Sequence, residues 1–369
     1  MSAPKNPALC HDWLNGMRGG EKCLEVFCRM FPTAPIYTLF YEEGKVAPSI
    51  ASHPIQSSYL QCFPGIFKKY RYFLPFFTSA VESFDVSTHD LILSTSHCVA
   101  KGVRRRSPAR HLCYCFTPVR YAWGFFDEYF GQKKGMVRKL IQFFLEKLRR
   151  WDKATVDRVD EFVAISHHVR KRIESFYGRP ARVVYPPVDT DFYFQDPKVG
   201  VEDFYLIVSA LVPYKRVDLA ISAFKQNGKK LVVIGDGPER QRLETAASDN
   251  IRFLGWQSDE ILRDYYRRCR ALVFPGEEDF GIVPVEVQAC GRFVIAYGKG
   301  GATETVLDGV TGVFFNALSA ESMNEALSRF ERLSLESSGA RKNAEKFNQH
   351  RFQQEMESII AEFMERKLN

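Results

Sequence analysis

The sequence has nine cysteines but no Cys-x-x-Cys pair, and no Asp pair or His/Cys cluster has metal-ligand spacing. Zinc-ribbon and dithiol redox chemistry are therefore not indicated. His11 and Asp12 follow Cys10, but neighbours on a strand point to opposite faces, so they do not form a ligand set. An odd, dispersed set of thiols with no signal-peptide pattern predicts reduced cysteines in the cytoplasm. Long apolar runs are also missing. The stretch 73–77 is interrupted by Pro75 and follows Lys68, Lys69 and Arg71, far short of the roughly 18 residues a bilayer span needs. There is no internal repeat, no low-complexity tract and no recognised nucleic-acid reading module. Nor does G-x-G-x-x-G follow the first expected strand. Met17-Arg18-Gly19-Gly20 stands there instead, which argues against a nicotinamide oxidoreductase.

What is present is ordinary globular material: 369 residues, 45% hydrophobic and 26% charged. That length exceeds what one core usually supports and predicts two domains. The charge is uneven. Residues 1–190 carry 28 lysines and arginines against 17 carboxylates, a net +11, and the remainder carries 23 against 27, a net −4. A basic N-terminal half predicts an anionic partner on that side. Aromatics reach 14%, with 31 phenylalanines. Lysines and arginines stand among Phe, Leu and Trp in 63–77 and 133–151, and Arg104-Arg105-Arg106 adds to the charge. That composition suits either an anionic membrane surface or a solvated face over core aromatics.

The second half alternates strands and helices. Strands are expected at 204–209, 230–234, 251–254, 271–274 and 293–297, and helices at 217–224, 240–247, 259–269, 284–290 and 302–307. This is the pattern of a parallel, doubly wound sheet. In the first half, 8–10, 90–94, 111–115 and 161–165 read as strands. A helix follows from Glu21, with a long basic helix or helix pair at 135–158 and a helix at 166–177. Tyr185-Pro186-Pro187-Val188-Asp189 cannot be helical and is the linker candidate. The segment 347–368 is an amphipathic helix with Phe352, Met356, Ile359, Ile360 and Phe363 on one side.

The strongest chemical signal is Glu278-Asp279-Phe280-Gly281-Ile282-Val283-Pro284-Val285-Glu286, which leaves a strand and enters a helix. The first-turn N–H groups of such a helix suit a diphosphate. Glu278 is placed to bond sugar hydroxyls and Glu286 to hold a ribose diol. With Val208-Ser209-Ala210-Leu211-Val212-Pro213-Tyr214-Lys215, Gly235-Asp236-Gly237-Pro238, Phe253-Leu254-Gly255-Trp256 and Gly300-Gly301-Ala302-Thr303-Glu304, the chain resembles glycosyltransferase family 4 over nearly its whole length. That family's hallmark is two glutamates separated by seven residues.

The resemblance implies a GT-B fold, an α/β architecture of two Rossmann-like doubly wound domains facing a cleft. The N-terminal domain would be 1–190 and the nucleotide-sugar-binding domain 191–346, with 347–369 packing back on the first. It implies retaining transfer from a nucleotide sugar, with no metal and no cofactor beyond that substrate. By the same resemblance Lys215 contacts the donor diphosphate. Gly19 and Gly20 face the donor, and Gly237, Leu254, Phe280, Gly281, Ile282 and Glu286 belong to its site.

Two positions depart from the family pattern. Ala210 stands where an arginine is usual, and Arg216 is the candidate replacement. Phe116, before Thr117-Pro118, stands where a histidine approaches the transferred sugar. Either the alignment slips there, or His97 takes part of the role, or the activity is altered. Several motifs look most like bacterial mannosyltransferases of surface polysaccharide synthesis. GDP-mannose is thus the first expected donor and a UDP-sugar the second, with a saccharide or lipid-linked saccharide as acceptor. A non-catalytic nucleotide-sugar-binding relative is the remaining alternative. The expected location is the cytoplasm, at the inner membrane face.

Overall fold

The computed structural model describes residues 4–106, 108–124, 126 and 134–366. The expectations touching Lys133 and Leu368 lie outside the described residues. The chain divides into two compact units, Met1–Pro187 with His350–Asn369, and Val188–Gln349.

The first unit is a seven-stranded parallel sheet with the order β3-β2-β1-β4-β5-β6-β7. Its strands are β1 (Pro7–His11), β2 (Ile36–Thr38), β3 (Ile55–Ser57), β4 (Leu91–Ser96), β5 (Arg110–Cys115), β6 (Glu161–Ala164) and β7 (Ala181–Val183). The central strands are buried along their length, as a sheet covered on both faces requires. The strand order reverses between β1 and β4, which pair with Leu9 opposite Leu93. Ligand sites of open α/β sheets lie beyond the strand ends at such a reversal.

The helix expected from Glu21 begins at Gly19 and runs Gly19–Met30. The reason is a cap: the Glu21 carboxylate, three residues into the helix, accepts the Arg18 N–H at 3.0 Å. Gly19 and Gly20 therefore form its first turn rather than a loop before it. The C-terminal helix, Gln349–Glu365, belongs to this unit and buries Phe352, Met356, Ile359, Ile360 and Phe363. The Phe352 ring lies edge-on to Phe27 and Tyr114, at 5.3 and 5.4 Å.

The second unit is a six-stranded parallel sheet with the order β10-β9-β8-β11-β12-β13. Its strands are β8 (Tyr205–Val208), β9 (Leu231–Ile234), β10 (Ile251–Gly255), β11 (Ala271–Phe274), β12 (Phe293–Tyr297) and β13 (Gly312–Phe315). Here the order reverses between β8 and β11. The helix expected from Pro284 starts two residues earlier, as Ile282–Ala289, because Gly281 caps it at φ +97. Strands β2, β3, β7 and β13 and helices Leu74–Glu82, Ala320–Arg332 and Ser337–Glu345 are among the elements beyond those the sequence pattern predicts.

Candidate functional site

Glycines bring the loops of the second unit's reversal together. A Cβ on Gly235 would stand 1.9 Å from the Ser209 carbonyl oxygen, and one on Gly237 would stand 2.4 Å from that of Leu211. The loop after β8 therefore packs directly on the loop after β9. Gly276 does the same for the loop after β11, where a Cβ would meet the Tyr214 oxygen at 2.8 Å and the Lys215 Cα at 3.0 Å. These contacts are with backbone, which cannot swing aside, so any side chain would push the loops apart.

Lys215 and Glu278 meet across this junction, the Lys215 ammonium paired with a Glu278 carboxylate oxygen. Lys215 ends the 3-10 turn Pro213–Lys215 after β8, and Glu278 lies in the loop after β11. Glu278 is held from behind. Its carbonyl accepts the Gly301 N–H at 2.7 Å. Gly300, at φ +69, passes so close that a Cβ would be 2.5 Å from the Glu278 oxygen, and a Cβ on Gly301 would be 2.3 Å from the Phe280 Cα. The Gly-Gly pair thus fixes the backbone that carries Glu278.

Beyond Glu278, Gly281 opens the helix Ile282–Ala289. The first-turn N–H groups of Ile282 and Val283 have no acceptor within the helix, and Pro284 has no N–H to satisfy. Phe280 is buried with its ring 5.6 Å from that of Phe347, so its side chain packs inside the unit. Glu286 is buried and accepts the Tyr266 hydroxyl at 3.0 Å. Burial, with the neighbouring Glu286 carboxylate, raises the Tyr266 phenol far above its ordinary range. Arg216 adopts a left-handed backbone at φ 53 and donates through Nε to Asp218 at 3.2 Å. Leu254 falls at a bulge in β10, and its carbonyl accepts from the Gln257 amide at 2.9 Å. Trp256, two residues on, is 76% exposed.

The first unit builds a second cluster at its own reversal. Asp12, fully buried at the end of β1, accepts four consecutive backbone N–H groups beyond β4: His97 (2.7 Å), Cys98 (2.9 Å), Val99 (2.6 Å) and Ala100 (2.8 Å). The ring Nδ1 of His97 lies 3.0 Å from the same carboxylate. Burial alone would raise the Asp12 pKa, but the charge and hydrogen bonds of His97 outweigh it and bring it to about 2. Burial would lower that of His97, and Asp12 reverses this, leaving it raised. In the sequence Asp12 stands out only beside Cys10 and His11, as part of a metal-ligand set that strand geometry rules out. No local motif marks the amide clamp, because its donors lie 85 or more residues away.

His97, 34% exposed at its side chain, stands edge-on to Trp13 with centroids 4.5 Å apart. The Phe116 ring, just past β5, lies 6.3 Å from that of His97 and 6.4 Å from that of His11. A Cβ on Gly20 would stand 3.3 Å from the edge of Phe116. His11 bonds the Thr95 hydroxyl at 2.7 Å, with Glu21 at 4.0 Å on its other nitrogen. Gly20, Phe116 and His97 thus share one corner of the unit.

Residues 38–192 match the family described as Glycosyltransferase Family 4, and residues 189–347 match Glycosyl transferases group 1. Among curated proteins, an uncharacterized glycosyltransferase of Methanocaldococcus jannaschii is 32% identical over 172 residues, 45% of this chain and 48% of that one. A GDP-mannose-dependent alpha-(1-6)-phosphatidylinositol monomannoside mannosyltransferase of Mycolicibacterium smegmatis is 30% identical over 198 residues, 46% of this chain and 52% of that one. The chain thus spans about half the length of the curated relatives it matches. Among solved structures, HepE of Anabaena in complex with UDP superposes with a TM-score of 0.70 at 17% identity, over 96% of this chain and 100% of that one. Sucrose-phosphate synthase of Thermosynechococcus elongatus does so with 0.72 at 16%, over 98% and 99%. With two Rossmann-like parallel sheets and this pair of domain matches, the chain belongs to the GT-B glycosyltransferases, a family 4 domain followed by a group 1 domain.

Proposed function

We propose that the chain transfers a hexose, with retention, from a nucleoside diphosphate sugar to a saccharide or lipid-linked saccharide acceptor in surface polysaccharide synthesis. The observation that carries this is the Lys215–Glu278 pair at the reversal of the second sheet, beside the N-terminus of helix Ile282–Ala289. A cation and first-turn helix amides suit a diphosphate leaving group, and a carboxylate suits sugar hydroxyls. The acceptor oxygen attacks the anomeric carbon on the face that the diphosphate leaves. The glycosidic bond forms as the bond to phosphate oxygen breaks, and a phosphate oxygen takes the acceptor's proton. Lys215, Arg216 and the amides offset the charge on the nucleoside diphosphate, so no divalent metal is required. Gly19 and Gly20 give the donor close backbone approach in the first unit. His97 there supplies the imidazole that position 116, a phenylalanine, lacks.

GDP-mannose is the first donor, in keeping with the mannosyltransferase relative at 30% identity. A UDP-sugar is the second reading, favoured by the solved complexes of HepE with UDP and UDP-glucose. The proposed location is the cytoplasmic face of the inner membrane. The test is calorimetry with GDP, UDP and ADP after metal removal, then release of nucleotide from their hexose conjugates in excess chelator. The reading predicts that GDP binds tightest and that GDP-mannose turns over without metal. UDP binding at least about tenfold tighter, a gap of about 1.4 kcal/mol, overturns the donor. Turnover that returns only with added magnesium or manganese overturns the metal-free mechanism.

A further inference from the structure

Two side-chain amides of the second unit meet on one backbone carbonyl behind Glu278. Gln288, in helix Ile282–Ala289, and Asn343, in helix Ser337–Glu345, are both buried. The Gln288 Nε2 donates to the Thr305 carbonyl at 2.9 Å and to that of Pro284, one turn back in its own helix, at 3.0 Å. The Asn343 Nδ2 donates to the same Thr305 carbonyl at 2.9 Å and to the Gln288 Oε1 at 2.8 Å. Each NH2 group therefore uses both of its hydrogens, and the carbonyl partners fix which way each amide points. A carboxylate at either position would set oxygen against oxygen, and an apolar side chain would make none of these bonds.

Thr305 ends helix Ala302–Thr305, a single turn that begins at the Gly300-Gly301 pair. A turn of that length does not hold its shape alone. Its own bonds are few: the Gly301 carbonyl accepts the Glu304 N–H at 3.0 Å and the Thr305 hydroxyl at 3.4 Å. The Gly301 N–H then binds the Glu278 carbonyl at 2.7 Å. A chain of hydrogen bonds thus runs from Asn343 and Gln288 through Thr305 and Gly301 to the backbone of Glu278. At its other bond Gln288 holds Pro284, in the first turn of helix Ile282–Ala289. It therefore joins the two segments that flank Glu278 in sequence and in space. Burying two amides costs desolvation that an apolar pair of the same shape would avoid. What the amides add is a fixed distance between those segments.

We propose that Gln288 and Asn343 are positioning residues for sugar transfer, setting the Gly300-Gly301 turn, and through it Glu278, against the first turn of helix Ile282–Ala289. This rests on the proposed role of Glu278. The test compares Gln288→Met and Asn343→Leu, which keep the volume and remove the amides, with Asn324→Ala. That control breaks an amide–amide bond in the same unit, to Asn227 at 2.7 Å, at the end of helix Val217–Asn227 far from Arg216. For each full-length variant, kcat and KM are measured with whichever of GDP-mannose and UDP-glucose wild type turns over. GDP and UDP binding and hydrogen exchange of the peptide 298–306 are measured alongside, all well below the melting temperature. Gln288→Met and Asn343→Leu are each expected to lose about tenfold or more in kcat, with nucleoside diphosphate affinity held within about twofold. Exchange at 300–306 speeds up in both, and the double variant loses little more than either single, since the amides act as a unit. Asn324→Ala keeps wild-type kcat and exchange. Asn343→Leu leaves both Gln288 N–H bonds in place and carries the test if Gln288→Met does not fold. A kcat within about twofold of Asn324→Ala, or unchanged exchange at 300–306, contradicts the positioning role and leaves the amides structural. Glu278→Gln separates the two readings: if it abolishes turnover while the amide variants keep theirs, only the positioning role falls. If Glu278→Gln turns over normally, or wild type not at all, both fall.

Discussion

The Asp12 carboxylate binds both the backbone and the ring of His97, at 2.7 and 3.0 Å. One buried anion therefore closes the loop beyond β4 and strengthens proton binding by its first side chain. His97, folded, holds its proton more tightly than in the unfolded chain. Its contribution to stability is complete below a pH of about 6.5 and is lost as pH rises through the folded value. Asp12, held at about 2, contributes above a pH of about 4, and that contribution is lost as pH falls through its folded value. Asp12→Asn keeps the shape but replaces one acceptor oxygen with a donor amide. It is expected to destabilise by about 2–4 kcal/mol and to drop the His97 titration seen by imidazole NMR. An unshifted His97 titration in a folded variant contradicts this pairing.

Gly301 is the tightest point behind Glu278, since an added Cβ would strike the Phe280 backbone at 2.3 Å. Gly301→Ala is expected to cost about 1–3 kcal/mol in a urea melt and to weaken donor binding by displacing Glu278. Gly339→Ala, whose Cβ would meet only a Val310 methyl at 3.6 Å, serves as the control and should leave donor binding unchanged. Equal behaviour of the two variants contradicts a role for the close approach.

Arg216 is the one non-glycine among the described residues with positive φ. A side chain held there costs of order 1 kcal/mol. Arg216→Gly is therefore expected to match or exceed wild-type stability while binding nucleoside diphosphate about tenfold more weakly. A denaturant titration paired with calorimetry separates the two effects. A less stable variant with undiminished binding reverses the assignment, making Arg216 a structural residue.

Much of the second unit was legible in the sequence because its strands are continuous apolar runs ended by glycine or acidic loops, as at Leu231–Ile234 before Gly235-Asp236-Gly237. The Lys215 and Glu278 positions were legible for the same reason: each follows a strand on one side of the sheet reversal. The short strands were not. Ile36–Thr38 is three residues long, and Gly312–Phe315 opens on a glycine required because a Cβ would stand 2.0 Å from the Val294 oxygen. The early start of helix Gly19–Met30 was hidden because two glycines oppose helix locally and the Glu21 cap overrides them. The Asp12 clamp and the Tyr266–Glu286 bond join distant segments, and no local pattern records such pairs.

The most direct measurement is nucleotide release from GDP-mannose and UDP-glucose by wild type, Lys215→Met and Glu278→Gln, with thermal melts alongside. Wild type is expected to turn over a nucleotide sugar and each variant to lose about a hundredfold or more, with both still folded. Near-normal turnover in both folded variants, or no turnover of any nucleotide sugar by wild type, contradicts it.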